Sequence, residues 1–357
     1  MVRDTLISSL IAMLAATFCY WLLIPVAGKI GLVDRPNARK WHQREVPLIG
    51  GIGIFFGFCL GILNLHVSLA PFRGVLAAAL ILVLMGVVDD LKDLSARLRL
   101  VGQVTVALVL VISGGALLEF FGDFLWLGPL HLGLWSLPLS VFLIVAYMNA
   151  LNMLDGQDGL AAGVALVQSL CLSFFAHEMG QDVLLMILLL LVALLALFLL
   201  FNFRLPGRAQ ALIFMGDAGS TFLAFMLGFA GLKLAQVDPI LLRPIEILWV
   251  LSLPLFDLIN VMYYRLRSGL SVFRAGRDHG HHILAELGFS VNASTFLLCF
   301  LSLVFSSMGY LFWVLKLDES MSLVIWIFIL ISYVSACQFL RHSRWQGLVR
   351  NLRNIKI

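Results

Sequence analysis

The chain has 357 residues, of which 61% are hydrophobic and 12% charged, with 24 Lys and Arg against 20 Asp and Glu and a net charge of +4. A soluble domain carries about a quarter of its residues as charges, so a water-soluble globule is excluded. The basic excess does not point to nucleic acid, because basic residues of membrane proteins gather on the cytoplasmic side for topological reasons.

The first apolar run, between Asp4 and Lys29, predicts a helix near 5–28. It is too long for the apolar region of a signal peptide and has no small-residue cleavage site, so it is expected to remain as an anchor. The loop near 29–47 gathers Arg35, Arg39, Lys40, His42 and Arg44 around Trp41 before Pro47 to Gly51 re-enters the membrane. Positive-inside statistics account for the bases, whereas Trp41 and the re-entry speak for a more ordered segment, and both readings stand. The second helix, near 48–68, repeats Gly53, Gly57 and Gly61 on one face. Without a preceding strand these glycines predict close approach of a neighbouring backbone, not a nucleotide loop.

The third helix, near 72–88, closes on G-V-V-D-D-L-K-D. If it continues for one turn, Asp89 and Asp93 share a face with Asp90 about 100° round. Like charges so placed repel unless a cation or a proton separates them, and carboxylates are disfavoured at a helix C-terminus. Metal or phosphate chemistry is the reading set against a solvated helix end. A fourth helix is expected near 99–118, after Arg99, and a fifth near 135–152. N-A-L-N-M-L-D-G-Q-D-G then joins it to a sixth near 159–177, supplying Asn149, Asn152, Asp155 and Asp158, more amides and acids than a short turn requires.

After a seventh helix near 183–202, F-M-G-D-A-G-S-T puts Asp217 at the opening of an eighth, near 217–233. An acid there caps free N–H groups, and a helix N-terminus also receives anions. The ninth helix, near 245–264, carries Asp257 about 10 Å inside it. A buried acid in a span marks a cavity unless a neighbouring helix satisfies it. R-D-H-G-H-H follows in the loop near 265–293, with Arg277, His279, His281 and His282 offering a polyphosphate clamp or a transition-metal site. Helices near 294–315 and 321–340 complete the chain.

The expectation is therefore a single all-α polytopic membrane bundle over 1–357 with eleven spans. Pooling alternate loops assigns 19 Lys and Arg to one side and 5 to the other, which puts the N-terminus outside and the C-terminus in the cytoplasm. The acid and histidine clusters fall on the basic side, in the segments near 29–47, 89–99, 149–159, 203–217 and 265–293. Carboxylates, a helix N-terminus, histidines and arginines without a G-x-x-x-x-G-K-[ST] loop fit a metal-bound diphosphate whose own anhydride drives phosphoryl transfer.

Taken in order, V-D-R-P-N-A-R-K-W-H, V-P-L-I-G-G, V-V-D-D-L-K-D, N-M-L-D-G-Q-D-G, F-M-G-D-A-G-S-T and D-H-G-H-H resemble the polyprenyl-phosphate N-acetylhexosamine-1-phosphate transferases from about residue 29 to 285. The resemblance is to the bacterial branch that begins O-antigen and related surface polysaccharides. It implies an inner-membrane enzyme with a cytoplasmic active site and Mg²⁺ or Mn²⁺. The implied substrates are UDP-N-acetylglucosamine and undecaprenyl phosphate, and the products undecaprenyl-diphospho-N-acetylglucosamine and UMP. It also implies catalytic roles for Asp89, Asp90, Asp158 and His279, and metal ligation by Asp217 with Asp89 and Asp90. Substrate contacts would come from Arg44, Arg99, Asn149, Asn152, Asp155, Arg277, His281 and His282. Arg44 and Arg99 stand where the peptidoglycan-precursor branch has lysines, and Gly280 stands where this branch carries an apolar residue. A homodimer is left open. Two rivals remain: a prenyltransferase using an Mg²⁺-bound prenyl diphosphate, which would lack the histidine loop, and a proton-coupled transporter, which would bind near the midplane in repeated halves.

Overall fold

Peptide groups inside a bilayer find no water, so the long apolar runs satisfy them internally as helices. The computed structural model describes residues 2–35, 45–123, 126–208, 210–238, 241–272 and 276–341. In chain order the helices are α1 (Val2–Ile30), α2 (Gly50–Leu63), α3 (Arg73–Lys92), α4 (Ala96–Gly114), α5 (Ser136–Leu154), α6 (Leu160–Glu178) and α7 (Asp182–Asn202). They continue with α8 (Gly216–Leu234), α9 (Pro244–Val250), α10 (Ser252–Arg267), α11 (Gly280–Glu286), α12 (Val291–Val314) and α13 (Glu319–Arg341). Two short antiparallel hairpins join them: β1 (Val33–Asp34) with β2 (Val46–Pro47), and β3 (Phe120–Asp123) with β4 (Pro129–His131).

Among the described residues eight helices are long and apolar enough to cross a membrane, or nine if α9 and α10 form one bent span, where the sequence predicts eleven. The chain is thus a polytopic helical membrane protein. Two expected spans, α2 and α8, fall outside that set. The first is only 14 residues long. The second is buried along its length except at Gly216, Asp217 and Lys233, packing on α2, α3, α5, α6 and α9. A helix surrounded by protein needs no lipid-facing apolar side, and small residues let its neighbours come close.

The ninth expected helix is two, bent by 74°. Pro254 has no N–H for the carbonyl four residues back, and its ring crowds that carbonyl, so the helix breaks before it and Pro254 falls in the first turn of α10. The loop expected over 265–293 also contains the unforeseen short helix α11. The glycine face of α2 does pack closely, as a Cβ on Gly53 would lie 2.1 Å from the Tyr20 ring and one on Gly57 2.6 Å from the Ala12 carbonyl. All five cysteines are free thiols.

Candidate functional site

The C-terminal ends of α3, α5 and α7 meet the N-terminal ends of α4, α6 and α8 at one end of the bundle. The start of α8 is the centre of this assembly. A Cβ on Gly51 of α2 would lie 2.2 Å from Gly219 N, and one on Gly86 of α3 2.3 Å from Ala218 Cα, so both backbones press against its first turn. Met215, not Asp217, is the N-cap. The capping carboxylate comes from another helix: Asp217 N–H donates to Asp90 Oδ1 at 2.9 Å.

This frees the Asp217 side chain for the cavity. Its Oδ1 accepts from Asn152 Nδ2 at 2.7 Å, and Oδ2 lies 3.6 Å from Arg99 Nη1. Asn152 also donates to Ser220 Oγ at 2.9 Å. Arg99 bridges to α3 as well, with Nη1 3.2 Å from Asp89 Oδ2, while Asp89 Oδ1 accepts from Leu94 N–H at 2.8 Å. Helix α3 continues one turn past its expected end near 88, and Asp93 N–H donates to the Asp89 carbonyl at 2.8 Å. Helix α3 stops at Lys92, and Asp93 caps it in the left-handed region with φ 52°, so Asp93 does not stack under Asp89.

Asn149 Nδ2 donates to Gln103 Oε1 at 2.7 Å. Asp158 accepts from Arg204 Nε at 2.6 Å, and its backbone carbonyl accepts from Thr295. Asn202 ties the segment down, accepting from Gly159 N–H at 2.6 Å and donating to the Ile213 carbonyl at 2.8 Å. Burial, with Asp217 and Asp158 nearby, pushes the Asp155 carboxyl up to about 7.

The histidines close the site from the other side. Asp257 Oδ2 lies 2.7 Å from His279 Nδ1, which answers the buried-acid question in favour of a satisfied carboxylate. His281 is 1% exposed, and neither of its ring nitrogens has a hydrogen-bond partner. Burial and the neighbouring His282 and His279 hold it down to about 3, while burial with His279 and Arg277 holds His282 down to about 4. Both rings are therefore neutral at pH 7.

Two adjoining cavities of about 380 and 580 Å³ result, sharing Asp89, Gly156, Asp217 and His282. Amides, histidines and guanidiniums dominate the smaller, through Gln103, Asn149, Asn152, His279, His281, Arg99 and Arg265. The larger is acidic, with Asp34, Asp89, Asp90, Asp93, Asp155, Asp158 and Asp217 facing one guanidinium, Arg204, among its described lining residues. Of the sequence-derived site residues, Asp89, Asp90, Arg99, Asn149, Asn152, Asp155, Asp158, Asp217, His279, His281 and His282 line one or both lobes. Arg277 lines neither, although its charge acts on His281 and His282. Arg44 lies outside the described residues.

Among the described residues no three acid, imidazole or thiol groups converge into a metal cage. Mg²⁺ does not require one, since it keeps several waters and takes one or two carboxylates together with substrate phosphates. The donors fit such an ion: the acidic lobe is rich in oxygen ligands, short of cations, and includes Asp90, whose Oδ2 is buried without a partner. Sequence reading missed Gln103, Arg204, Asn202, Arg265 and Asp34. A polar amide about two turns inside α4 is the signal for Gln103, whereas Arg204 and Arg265 read as ordinary bases of cytoplasmic loops.

The family described as glycosyl transferase family 4 matches residues 72–235, a span that holds both aspartate clusters and Asp217. The chain is 36% identical over 265 residues to an undecaprenyl-phosphate alpha-N-acetylglucosaminyl 1-phosphate transferase of Yersinia pestis, covering 74% of this chain and 72% of the relative. Proteins of the same name from Escherichia coli K12 and Haemophilus influenzae are 34% and 32% identical. Those matches cover 80% of this chain and 78% of the relative for the former, and 98% and 99% for the latter.

Proposed function

The chain belongs to glycosyl transferase family 4 and is a sugar-phosphate transferase, and from that premise we propose that it moves N-acetylglucosamine 1-phosphate from UDP-N-acetylglucosamine to undecaprenyl phosphate. The reading rests above all on the two-lobed cavity, in which an acidic lobe and an amide, histidine and guanidinium lobe meet at Asp89 and Asp217. An oxygen of the lipid phosphate bonds to the sugar-side phosphorus of the diphosphate. The bond from that phosphorus to the bridging oxygen breaks, and UMP leaves with this oxygen.

Asp89 and Asp90 end α3 where a lipid headgroup reaches the protein, and Asp89 takes the last proton of the lipid phosphate, whose second pKa is near 6. Arg99, between Asp89 and Asp217, holds the incoming phosphate once it turns from these carboxylates. Asn149, Asn152, Asp155 and Asp158 orient the nucleotide sugar, and His279, His281 and His282, with Arg277, contact its diphosphate. Asp217 and Asp90 would hold Mg²⁺ or Mn²⁺, with Asp89 beside them. The ion supplies charge neutralisation for the diphosphate and the departing UMP. With α2 and α8 counted as crossings, the site faces the cytoplasm, the side to which the loops assign 19 of the 24 Lys and Arg.

The test is purified protein with undecaprenyl phosphate, Mg²⁺ and a panel of UDP-sugars. UMP release that depends on the lipid and is fastest with UDP-N-acetylglucosamine is expected. Lipid-dependent release that prefers another UDP-hexosamine would correct the sugar, and no release from any of them would overturn the reading.

A further inference from the structure

We propose that Asp257 is the positioning residue of the histidine lobe: it holds His279 through Nδ1 and thereby commits Nε2 to the cavity. Asp257 is 2% exposed and His279 6% exposed, so neither exchanges its partner for water. Both carboxylate oxygens are occupied. Oδ2 lies 2.7 Å from His279 Nδ1, and Oδ1 accepts from Gly280 N–H at 2.8 Å and from Tyr333 Oη at 3.3 Å. The carboxylate thus fixes the ring of His279 and the backbone of the next residue, and Tyr333 of α13 ties the pair to the outer helices.

Gly280 is part of this device. A Cβ there would lie 2.9 Å from Tyr333 Oη and 3.3 Å from Asp257 Oδ1, so a side chain would crowd both partners. The Gly280 backbone is itself held, since its N–H donates to Asp257.

A carboxylate accepts hydrogen bonds and donates none, so the short contact requires a hydrogen on Nδ1. His279 lines the amide and histidine lobe, and Nε2 is the ring nitrogen left to face it. When both nitrogens are protonated, the Asp257 carboxylate balances the ring charge and Nε2–H donates a charge-assisted hydrogen bond to a phosphate oxygen. This last step rests on the proposed function, in which His279 contacts the substrate diphosphate. The geometry of the Asp257–His279 pair does not.

Selective ¹⁵N-histidine labelling of the detergent-purified full chain reads the pair without reference to activity. A protonated Nδ1 signal that is absent in His279→Gln and altered in Asp257→Asn is expected. In Asp257→Asn the amide oxygen stays with Gly280 N–H and the NH₂ group faces Nδ1, which must then become the acceptor. Turnover should fall about 10- to 100-fold with KM for the nucleotide sugar within about threefold, as for loss of a residue that orients a histidine. The thermal midpoint should stay near wild type, and Asp257→Asn/His279→Gln should be no slower than His279→Gln alone. An unprotonated Nδ1 in the wild type, or a double variant whose losses multiply, would overturn the proposal. A wild-type protein that releases no UMP overturns the proposed function instead, and the nitrogen signal still decides the pairing.

Discussion

Asp90, at the end of α3, caps the start of α8 by accepting the Asp217 N–H at 2.9 Å. One acid of the first cluster therefore performs the task that sequence reading gave to Asp217, and the Asp217 carboxylate turns to Asn152 and Arg99 instead. The two aspartates, 127 positions apart, form one unit in which the first sets the helix end and the second faces the cavity.

Replacing Asp217 by Asn should keep the fold and remove the chemistry. An amide oxygen still accepts from Asn152, so the thermal midpoint should move little, whereas loss of the charge should lower turnover by about 100- to 1000-fold, the scale of a lost electrostatic stabiliser. UMP release at saturating Mg²⁺ measures this. Near-normal turnover would return Asp217 to a purely structural role.

Asp90 separates the two effects in another way. Asp90→Ala removes the cap of α8 and should cost about 0.5–2 kcal/mol, whereas Asp90→Asn keeps an acceptor and should cost less. Both should be poor enzymes, because neither keeps a carboxylate whose unpartnered Oδ2 is open to a metal ion. Equal midpoints for the two variants would count against the capping role.

Asp155 links stability to pH. Its carboxyl, pushed up to about 7, holds in the folded chain a proton that the unfolded chain has already released, so stability is greatest at low pH and is lost as pH rises through about 7. In chelator, the midpoint should decline between pH 5.5 and 7, and Asp155→Asn should lessen that decline without removing the part owed to Asp90, whose carboxyl lies half-buried beside Asp217. Saturating Mg²⁺ should flatten it too, by offsetting the repulsion among Asp155, Asp217 and Asp158. A wild type and a variant with the same pH dependence would contradict this assignment.

Arg204→Ala should leave the 9%-exposed Asp158 side chain without its counter-ion and destabilise the chain by about 1–3 kcal/mol. Adding Asp158→Asn should recover part of that loss, because the stranded charge is gone. The comparison is made on thermal midpoints. A double variant less stable than Arg204→Ala would show that the guanidinium does something other than balance Asp158.

For topology, Lys92→Cys and Leu127→Cys in a cysteine-free background should label from opposite sides, the first from the cytoplasm. Leu127 is 83% exposed, in the turn between β3 and β4. Labelling of both from one side would reverse the assignment of one of the two ends.

Much of this was legible because it depends on local chemistry. Apolar runs gave the helices, and acids or amides at run ends gave Asp89, Asp90, Asn149, Asn152, Asp155, Asp158 and Asp217. What stayed hidden depends on pairing between distant segments. Nothing near Asp257 in the sequence announces His279, 22 positions on, and nothing near Asp158 announces Arg204, 46 positions on. The bend at Leu251 was visible as Pro254, but an apolar run reads as one helix whether or not it changes direction. An apolar run likewise does not show which helices wrap α8.

That wrapping sets how the site fails. Helix α8 carries Asp217 at its tip, is buried along nearly its whole length and has no free side from which to peel away. Its amides belong with the slowest-exchanging hydrogens of the molecule, those released only by global opening. The carboxylate at its end has no partial melting route of its own, so heat should abolish turnover and unfold the bundle in a single transition.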